Sequence, residues 1–394
     1  MRRRPDLFGE TIFAEISRLA QEHGAVNLGQ GFPDFDPPPF VLEAAAKAAL
    51  GPQQQYARGA GAPELCEIIA SETGRSLGRE VDSELEVTIT VGATEALFAT
   101  ILALVEPGEE VILLEPFYDS YPADVAIAGG ISRYVPLRLD AAGRWGLDFD
   151  ELEAAFSSAT RLLVLNTPHN PTGKVFDEAE LKAIADLAQR YDVLVLCDEV
   201  YEELYFDGRR HHRLASFPGM WDRTITISSA GKTFSVTGWK IGWILANATL
   251  SLAVRRIHQW IPFAVATPLQ IAVADVMGQA RQRGYYDELR AMYVKKRDRL
   301  AESLRAAGLK PLIPEGTYFI TADVGEWETP PGVAPDVAFC RWLAAEVGVA
   351  AIPPSAFYSE AHASLASRHV RFSFCKRDET LALAGERLVA GLKT

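Results

Sequence analysis

The middle of the chain alternates between short apolar runs and segments with helical spacing of apolar residues. Continuous apolar runs of this length are typical of buried strands, and the segments between them have the 3.6-residue period of helices. Strands that alternate with helices predict a mostly parallel sheet covered by helices, so we expect an α/β fold. The predicted strands are 86–91, 110–114, 161–166, 193–197, 224–227 and 241–245, and the predicted helices between them include 95–105 and 178–191.

Different patterns flank this region. Helical spacing predicts a helix over 10–22, a Gly- and Pro-rich stretch at 27–39 predicts irregular structure, and an alanine-rich helix follows at 41–50. After residue 268 a long helical stretch runs towards residue 300. The last part of the chain predicts strands at 318–322 and 370–374 with a helix at 336–346 between them.

The length of 394 residues is too great for one core, so at least two domains are expected. We predict an N-terminal arm over 1–40 that joins the small domain, a large domain over 41–280, and a small α+β domain over 281–394.

The composition and charge of the chain exclude some classes of function. The chain is 48% hydrophobic and 23% charged, which is ordinary for a soluble globular protein. A net charge of -13 argues against nucleic-acid binding, which requires a basic face. No apolar run approaches the length of a membrane span, and no apolar segment follows the basic start Met1-Arg2-Arg3-Arg4 as a signal peptide requires.

Cysteine and histidine spacing points to a protein without metal in a reducing compartment. The four cysteines lie far apart, and the seven histidines form no metal-binding motif. The sequence therefore predicts reduced thiols, no metal site and a cytoplasmic location.

Polar residues collect where the predicted strands end. Because ligands of parallel sheets bind beyond the carboxyl ends of the strands, these residues are expected to share one site. They are Gly92, Ala93, Thr94, Tyr118, Asn170, Asp198, Tyr201, Ser229 and Lys232.

Lys232 is the most informative of them. It follows a predicted strand and a run of small residues, and a second cation, Lys240, lies eight residues later. Partial burial and neighbouring cations lower the pKa of an amine and suit it to covalent carbonyl chemistry. The alternative is a P-loop, because Gly231-Lys232-Thr233 matches the end of that motif, but Thr226 stands where its first glycine is required, and no helical pattern follows.

Several segments in the same order resemble the class I pyridoxal-phosphate aminotransferases, and among them the kynurenine aminotransferase, glutamine transaminase K and methionine aminotransferase group. The resemblance covers nearly the whole chain and implies fold type I, with a large cofactor-binding domain and a smaller α+β domain. The matching segments are NLGQGFPDF, QQYARGAGAPEL, VTITVGATEAL, EPFYDSY, LNTPHNPTGKVF, DEVYEEL, SSAGKTFSVTGWKIGW and VRFSFCK.

The resemblance implies roles for the residues that would bind pyridoxal phosphate. Lys232 would hold the cofactor covalently and act as the base, and Asp198 would pair with the protonated pyridine nitrogen. Asn170 and Tyr201 would bond the ring hydroxyl oxygen. The remaining contacts would be the backbone of Ala93 and Thr94 with Ser229 and Lys240 at the phosphate, Tyr118 stacked on the ring, and Tyr56 from the other subunit of a homodimer.

The resemblance also implies a substrate site. Arg371 would clamp the α-carboxylate with two hydrogen bonds, a geometry that lysine cannot copy, and the backbone of Gly31 would contact the same group. Phe13, Tyr118 and the partner's Phe263 would form an apolar pocket for the side chain. Judged alone, Arg371 could instead be an exposed residue of an edge strand.

The implied function is a two-step amino transfer from a neutral amino acid, aromatic, sulfur-containing or glutamine-like, to a 2-oxo acid. Phe13, Thr94, Trp260 and Ala264 depart from the kynurenine-preferring pattern, so substrate preference is left open. One alternative is a cysteine-S-conjugate β-lyase with the same cofactor. The other is a cofactor-binding regulator, which would need a DNA-binding module that fewer than about thirty residues before the NLGQG segment cannot form.

Overall fold

The computed structural model describes residues 9–326, 329 and 331–392, so the start of the predicted arm with Met1 to Arg4, and the last two residues, lie outside the described chain. Thirteen α-helices are described. They are α1 (Ile12–Glu22), α2 (Pro39–Leu50), α3 (Pro63–Leu77), α4 (Gly92–Leu104), α5 (Ser120–Ala128), α6 (Phe149–Ala154), α7 (Glu178–Arg190), α8 (Ala230–Thr233), α9 (Ala248–His258), α10 (Thr267–Ala280), α11 (Tyr285–Ala306), α12 (Pro335–Trp342) and α13 (Asp378–Leu392).

The strands form three sheets in the described chain. An eight-stranded sheet has the order β2-β9-β8-β7-β6-β3-β4-β5, a three-stranded sheet has the order β10-β11-β13, and β1 pairs with β12. The strands are β1 (Val26–Asn27), β2 (Val87–Val91), β3 (Glu110–Glu115), β4 (Ile131–Leu139), β5 (Trp145–Leu147), β6 (Thr160–Asn166), β7 (Leu194–Asp198), β8 (Thr224–Ser229), β9 (Ile241–Leu245), β10 (Lys310–Leu312), β11 (Phe319–Asp323), β12 (Val349–Ala350) and β13 (His369–Ser373).

The centre of the large sheet is parallel, from β8 through β7, β6 and β3 to β4, and antiparallel pairs occur at its two edges. All six residues of β3 and of β8 are buried, as expected for strands covered on both faces. The parallel direction places the carboxyl ends of β3, β6, β7 and β8 on one edge of the sheet.

Local sequence explains how the neighbouring helices begin. Asp177 caps α7 in a capping box with Glu180, which satisfies two backbone N–H groups at once. At α4 no side chain caps the first turn. Gly242 of β9 allows this turn to approach the sheet, because a Cβ atom there would lie 2.6 Å from the carbonyl carbon of Gly92.

The N-terminal residues pack with the C-terminal part of the chain. β1 pairs in parallel with β12, and Arg341 of α12 forms an ion pair with Glu15 of α1. The three-stranded sheet is antiparallel throughout. These contacts are consistent with an arm that joins a small α+β domain, while the boundaries at residues 40 and 280 stay predictions.

The fold class is confirmed, and the predicted central strands agree with the structure to within two residues at their ends. The long helical stretch after residue 268 is in fact two helices, α10 and α11, which Gly284 separates with a positive φ of 69°. Lys232 lies in α8, a single helical turn that ends at Thr233, and the chain enters β9 at Ile241, so the long helix that follows the lysine of a P-loop is not found here. Among the described helices, none is long and apolar enough to cross a membrane.

Candidate active site

A cavity of about 330 Å³ opens at the carboxyl edge of the large sheet. Twelve of the fourteen sequence-predicted site residues line it. They are Phe13, Gly31, Ala93, Thr94, Tyr118, Asn170, Asp198, Tyr201, Ser229, Lys232, Lys240 and Arg371.

Lys232 is partly buried in this cavity, immediately after the end of β8. Its amine nitrogen Nζ donates a hydrogen bond to the carbonyl oxygen of Gly31 at 3.4 Å. It also lies 5.7 Å and 5.6 Å from the ring centroids of Tyr201 and Tyr318. The amine therefore lies among aromatic rings and is held by one weak contact, which leaves it free to react.

Burial lowers the pKa of Lys232 to about 8. The cations Lys240 and Arg371 shift it in the same direction, while Asp198 opposes them. A pKa near neutrality makes a useful fraction of the amine uncharged, and only the uncharged form is a nucleophile.

Asp198 ends β7 and is buried. Its Oδ2 accepts a hydrogen bond from the Tyr121 hydroxyl at 2.7 Å, and its Oδ1 accepts one from the backbone N–H of Val200 at 3.2 Å. Burial raises the pKa of this carboxyl group, and these two donors and Lys232 only partly oppose the rise. Each oxygen has one protein donor where a carboxylate can accept about four in all, so the group retains capacity for a positively charged N–H in the cavity.

Tyr201 and Asn170 flank the aspartate. Burial raises the pKa of Tyr201 well above its ordinary value, so its hydroxyl keeps its proton and can donate it in a hydrogen bond. The Asn170 backbone N–H donates to Asn166 Oδ1 at 2.7 Å, and Asn166 Nδ2 donates to the carbonyl oxygen of Asp198 at 2.8 Å. This chain of bonds fixes the Asn170 loop against the end of β7.

An anion-binding cup lies at the start of α4. Ala93 and Thr94 are the second and third residues of this helix, where backbone N–H groups have no partner within the helix. Lys240 Nζ donates to Thr94 Oγ1 at 3.2 Å, and Ser229 lines the same part of the cavity. Free donors, a helix dipole and an ammonium group together suit a phosphate.

Tyr118 lies at the wall between this cup and Asp198. Burial raises the pKa of its hydroxyl to about 12, and the ring packs edge-on against Tyr121 with centroids 5.7 Å apart. This contact fixes the ring, which lines the cavity where a planar ligand can pack against it.

Arg371 is buried on β13 with only 1% of its surface exposed, so the alternative of an exposed edge residue is wrong. Its Nη1 donates to Asn170 Oδ1 at 3.0 Å and its Nη2 to the carbonyl oxygen of Gly29 at 2.7 Å. The guanidinium carbon lies 4.1 Å from the Phe319 ring centroid.

The charge of Arg371 lacks a counterion. Among the described residues no carboxylate lies within ion-pair distance of it, and its buried Nε has no hydrogen-bond partner. Burial lowers its pKa to about 10. A buried cation without a partner carries a desolvation cost that an anionic ligand would remove.

Phe13 and Gly31 complete the wall next to this arginine. The Phe13 ring centroid lies 5.4 Å from the guanidinium carbon. Gly31 must be small, because a Cβ atom there would lie 2.5 Å from the Phe319 ring. Gly31 lines the cavity, so its backbone can contact a ligand there.

Tyr56 and Phe263 do not line the cavity. They are 82% and 66% exposed and pack edge-on against each other with ring centroids 5.2 Å apart. Within one subunit these two residues take no part in the site.

Sequence reasoning missed several residues of the site. Tyr121 lies one helical turn after Tyr118 in the same EPFYDSY segment, and Asn166 ends β6 as Asp198 ends β7, so their positions were available signals. Tyr318 donates to the carbonyl oxygen of Gly31 at 2.6 Å, a contact that no spacing reveals because the residues are 287 positions apart. Gln30, Phe32 and Phe319 also line the cavity.

The donor set fits pyridoxal phosphate. The first turn of α4, which no side chain caps, can bind the phosphate together with Lys240. The carboxylate of Asp198 can accept a further hydrogen bond from a protonated ring nitrogen. The Lys232 amine, whose pKa is lowered, can react with the aldehyde. Arg371, which forms no ion pair in the described chain, remains available to bind a second anion.

Comparison with known proteins gives a family and several relatives. A family model described as aminotransferase class I and II matches residues 23–388. A kynurenine–oxoglutarate transaminase of Dictyostelium discoideum is 43% identical, over 97% of this chain and 94% of that protein. The solved N-succinyldiaminopimelate aminotransferase of Mycobacterium tuberculosis is 47% identical with a TM-score of 0.93, over 99% of both chains. The solved YbdL of Escherichia coli, described as a methionine aminotransferase, is 39% identical with a TM-score of 0.91, over 99% of both chains.

Proposed function

The chain belongs to the class I and II aminotransferases, which depend on pyridoxal phosphate, and from this premise we propose that it moves the amino group of a neutral amino acid to a 2-oxo acid. The observation that carries this proposal is that Arg371, the one guanidinium among the described residues lining the cavity, has no ion pair and shares that cavity with an amine of lowered pKa. When bound, the cofactor supplies an electron sink that lets the substrate α-carbon lose its proton.

The residues of the carboxyl edge would bind and orient this cofactor. Lys232 would hold it covalently, and Asp198 would keep its ring nitrogen protonated. Tyr201 and Asn170 would bond the ring hydroxyl oxygen, and Tyr118 would cover one face of the ring. The backbone of Ala93 and Thr94, with Ser229 and Lys240, would hold the phosphate.

Arg371 and Lys232 would act on the substrate. The guanidinium of Arg371 would fix the α-carboxylate by a two-bond fork, and the Gly31 backbone would contact the same group. The amine of Lys232 would then take the proton from the substrate α-carbon and return one in the second half of the reaction.

The preference for a neutral side chain rests on the lining of the cavity. Its cations are Lys232, Lys240 and Arg371, and each has a role in the cofactor or α-carboxylate contacts, so no further cation among the described lining residues is left for a second carboxylate. Phe13 and Phe32 make the substrate side apolar. The names of the kynurenine and methionine relatives agree with this class. No observation favours the β-lyase alternative.

We also propose a cytoplasmic homodimer. Tyr56 and Phe263 are exposed aromatic residues without a role in their own cavity, and in a dimer they would reach the partner's phosphate and substrate site. The four cysteines are free and buried, as in proteins of a reducing compartment. Sedimentation of the holoenzyme should give a dimer, and a monomer with full activity would contradict this arrangement.

A panel of amino acids tests the proposed function. Each is mixed with the purified holoenzyme without an oxo acid, and the shift from aldehyde to amine absorbance of the cofactor is followed. Aromatic amino acids, methionine or glutamine should produce the shift. A shift with aspartate, glutamate or N-succinyldiaminopimelate alone would contradict the neutral-substrate assignment, and no shift with any amino acid would contradict the activity in this chain.

A further inference from the structure

Glu115 is a buried carboxylate beside the substrate site that the proposed chemistry does not use. It is the last residue of β3, and none of its surface is exposed. We propose that Glu115 is a positioning residue that, through His362 and the backbone of Ser359, fixes the substrate-site wall carrying Phe357. The inference rests on the proposed function, because it assigns that wall to the amino-acid substrate.

Three bonds join the end of β3 to the segment 353–362. Glu115 Oε1 accepts from the backbone N–H of Ser359, and Oε2 is bonded to His362 Nδ1. Two residues later, the backbone N–H of Phe117 donates to the carbonyl oxygen of Phe357 at 2.8 Å. The carboxylate thus supplies two of the three bonds that hold this segment against the large sheet.

The other end of the segment is fixed to Arg371. Ile352 and Arg371 exchange two backbone hydrogen bonds of 3.0 Å and 2.9 Å. The backbone N–H of Ser355 donates to Asp336 Oδ2 at 2.7 Å. The segment 353–362 therefore bridges the strand of the substrate-binding arginine and the end of β3.

Phe357 lies in the middle of this bridge and packs behind two residues that line the substrate site, Phe13 and Arg371. Its ring is 1% exposed, lies 5.8 Å from the Phe13 ring and 5.2 Å from the Arg371 guanidinium carbon. A shift of the segment would therefore move the surface on which both the arginine and the side-chain pocket rest.

Apart from Tyr118, which directly follows Phe117, the cofactor contacts depend on other elements. Asp198 ends β7, Lys232 follows β8 and Lys240 precedes β9, and none of these residues touches the segment 353–362 through a hydrogen bond of the described chain. Loss of the Glu115 contacts should therefore weaken substrate binding far more than cofactor binding. A purely structural role would instead lower stability and leave substrate affinity unchanged.

Glu110 provides a matched control on the same strand. It is 6% exposed, and it accepts hydrogen bonds from Arg133 Nε at 2.8 Å and Ser157 Oγ at 2.6 Å. It lies at the opposite end of β3, about 17 Å away at the rise of a strand. Glu110→Gln disturbs a buried carboxylate of β3 without touching the substrate wall.

The test compares Glu115→Gln with Glu110→Gln in the holoenzyme. For an amino donor identified by the panel, we expect Glu115→Gln to raise KM about 10-fold or more while kcat stays within about 3-fold, because a displaced binding group costs affinity steeply. The Kd of the unreactive carboxylate 3-phenylpropionate should rise in step, and the cofactor absorbance should not change. Glu110→Gln should keep the wild-type KM and Kd.

His362 variants separate positioning from folding. His362→Ala should raise KM and Kd as Glu115→Gln does, whereas His362→Asn should restore them, because the asparagine Nδ2 can take the place of His Nδ1. A wild-type KM and Kd in Glu115→Gln, or equal effects in Glu110→Gln, would overturn the inference. Failure of the wild-type enzyme to convert any amino acid would instead overturn the proposed function.

Discussion

Two sets of buried or partly buried charges in this molecule each contain one acid, one lysine and one arginine, and they differ in their partners. The pocket charges are Asp198, Lys232 and Arg371, and the paired charges are Glu199, Lys296 and Arg213. Asp198 and Glu199 are neighbours in the chain, so a single step along the backbone separates the two sets.

The acids show the difference first. Burial alone would raise the pKa of Glu199, but Arg213 and His211 outweigh burial and lower it. At Asp198 burial prevails and the pKa is raised. The Glu199 carboxylate is held by the Arg213 guanidinium and the His211 ring, whereas the hydrogen bonds of the Asp198 carboxylate come from a hydroxyl and an N–H group.

The cations differ in the same way. Arg213 donates to Glu199 and Glu202, and these carboxylates outweigh burial and raise its pKa. Lys296 Nζ donates to Asp378 Oδ1 at 2.8 Å and to the Lys376 carbonyl oxygen at 2.7 Å. In the described part of the chain Arg371 and Lys232 form no ion pair, and burial lowers the pKa of both.

The comparison teaches that burial of a charge does not by itself indicate function. Where the fold supplies a counterion, the charge contributes to the structure. Where the fold supplies none, the group carries a cost that a ligand must remove, and such groups mark sites. Exchanging matched residues between the two sets is therefore the direct way to test the assignment.

The largest contrast is expected between the two lysines. Lys232→Ala should lower kcat by about 10⁴-fold, because covalent attachment and proton transfer are lost together. Lys296→Ala should lower the melting temperature and leave kcat near wild type, because it removes only a packed ion pair. Steady-state kinetics and calorimetry on both variants check this. Substantial turnover by Lys232→Ala would contradict the catalytic role of this lysine.

The next largest contrast is expected between variants of the two acids, Asp198 and Glu199. Asp198→Asn should lower kcat by about 10³-fold, since it removes the charge that faces the ring nitrogen. Glu199→Gln should cost about 3 kcal/mol of stability instead, because it leaves Arg213 buried with one fewer counterion. The measurements are denaturant unfolding and kcat. Equal losses of kcat in the two variants would contradict the assignment of Asp198 to the active site and of Glu199 to the structure.

The arginines should differ in KM. Arg371→Ala should raise KM for the amino acid about 100-fold, as expected when one partner of a buried charge pair is removed from a complex. Its melting temperature should fall less than that of Arg213→Ala, since Arg371 has no counterion to lose. A KM for Arg371→Ala within about 3-fold of wild type would exclude it from carboxylate binding.

The smallest effect concerns pH. The pKa of Lys232 is lowered to about 8, against about 10.4 for an unfolded lysine. Between these values the unfolded chain binds more protons, so this group makes the cofactor-free protein more stable as the pH rises through that window. Competitive acylation followed by peptide mapping should show half-maximal labelling of Lys232 near pH 8, and a midpoint near 10 would contradict burial as the controlling factor.

Much of the fold could be predicted from the sequence because its signals are local. Short apolar runs predict the central strands β3, β6, β7 and β8 and therefore the sheet. The polar and small residues that follow these runs predict the edge where ligands bind. The same signals predict that Asp198 and Lys232 share one site. The short helix α8 could not be found, because four residues carry no period.

The sequence does not show which buried charges have a counterion, since the counterions come from distant parts of the chain. The pattern of β13 leaves Arg371 either exposed or buried, and its burial follows from Phe319, Phe357 and Phe13, which come from three other segments. The bond of Glu115 to His362 spans 247 positions. A charged residue that directly follows the apolar run 111–114 nevertheless indicates that some partner is required.

The central claim is that the amine of Lys232 carries the cofactor against the carboxylate of Asp198. Reduction of the holoenzyme with borohydride, followed by digestion and mass spectrometry, tests it most directly. The account predicts a pyridoxyl group on the peptide that contains Lys232. A label on another lysine, or a protein that takes up no pyridoxal phosphate, would contradict it.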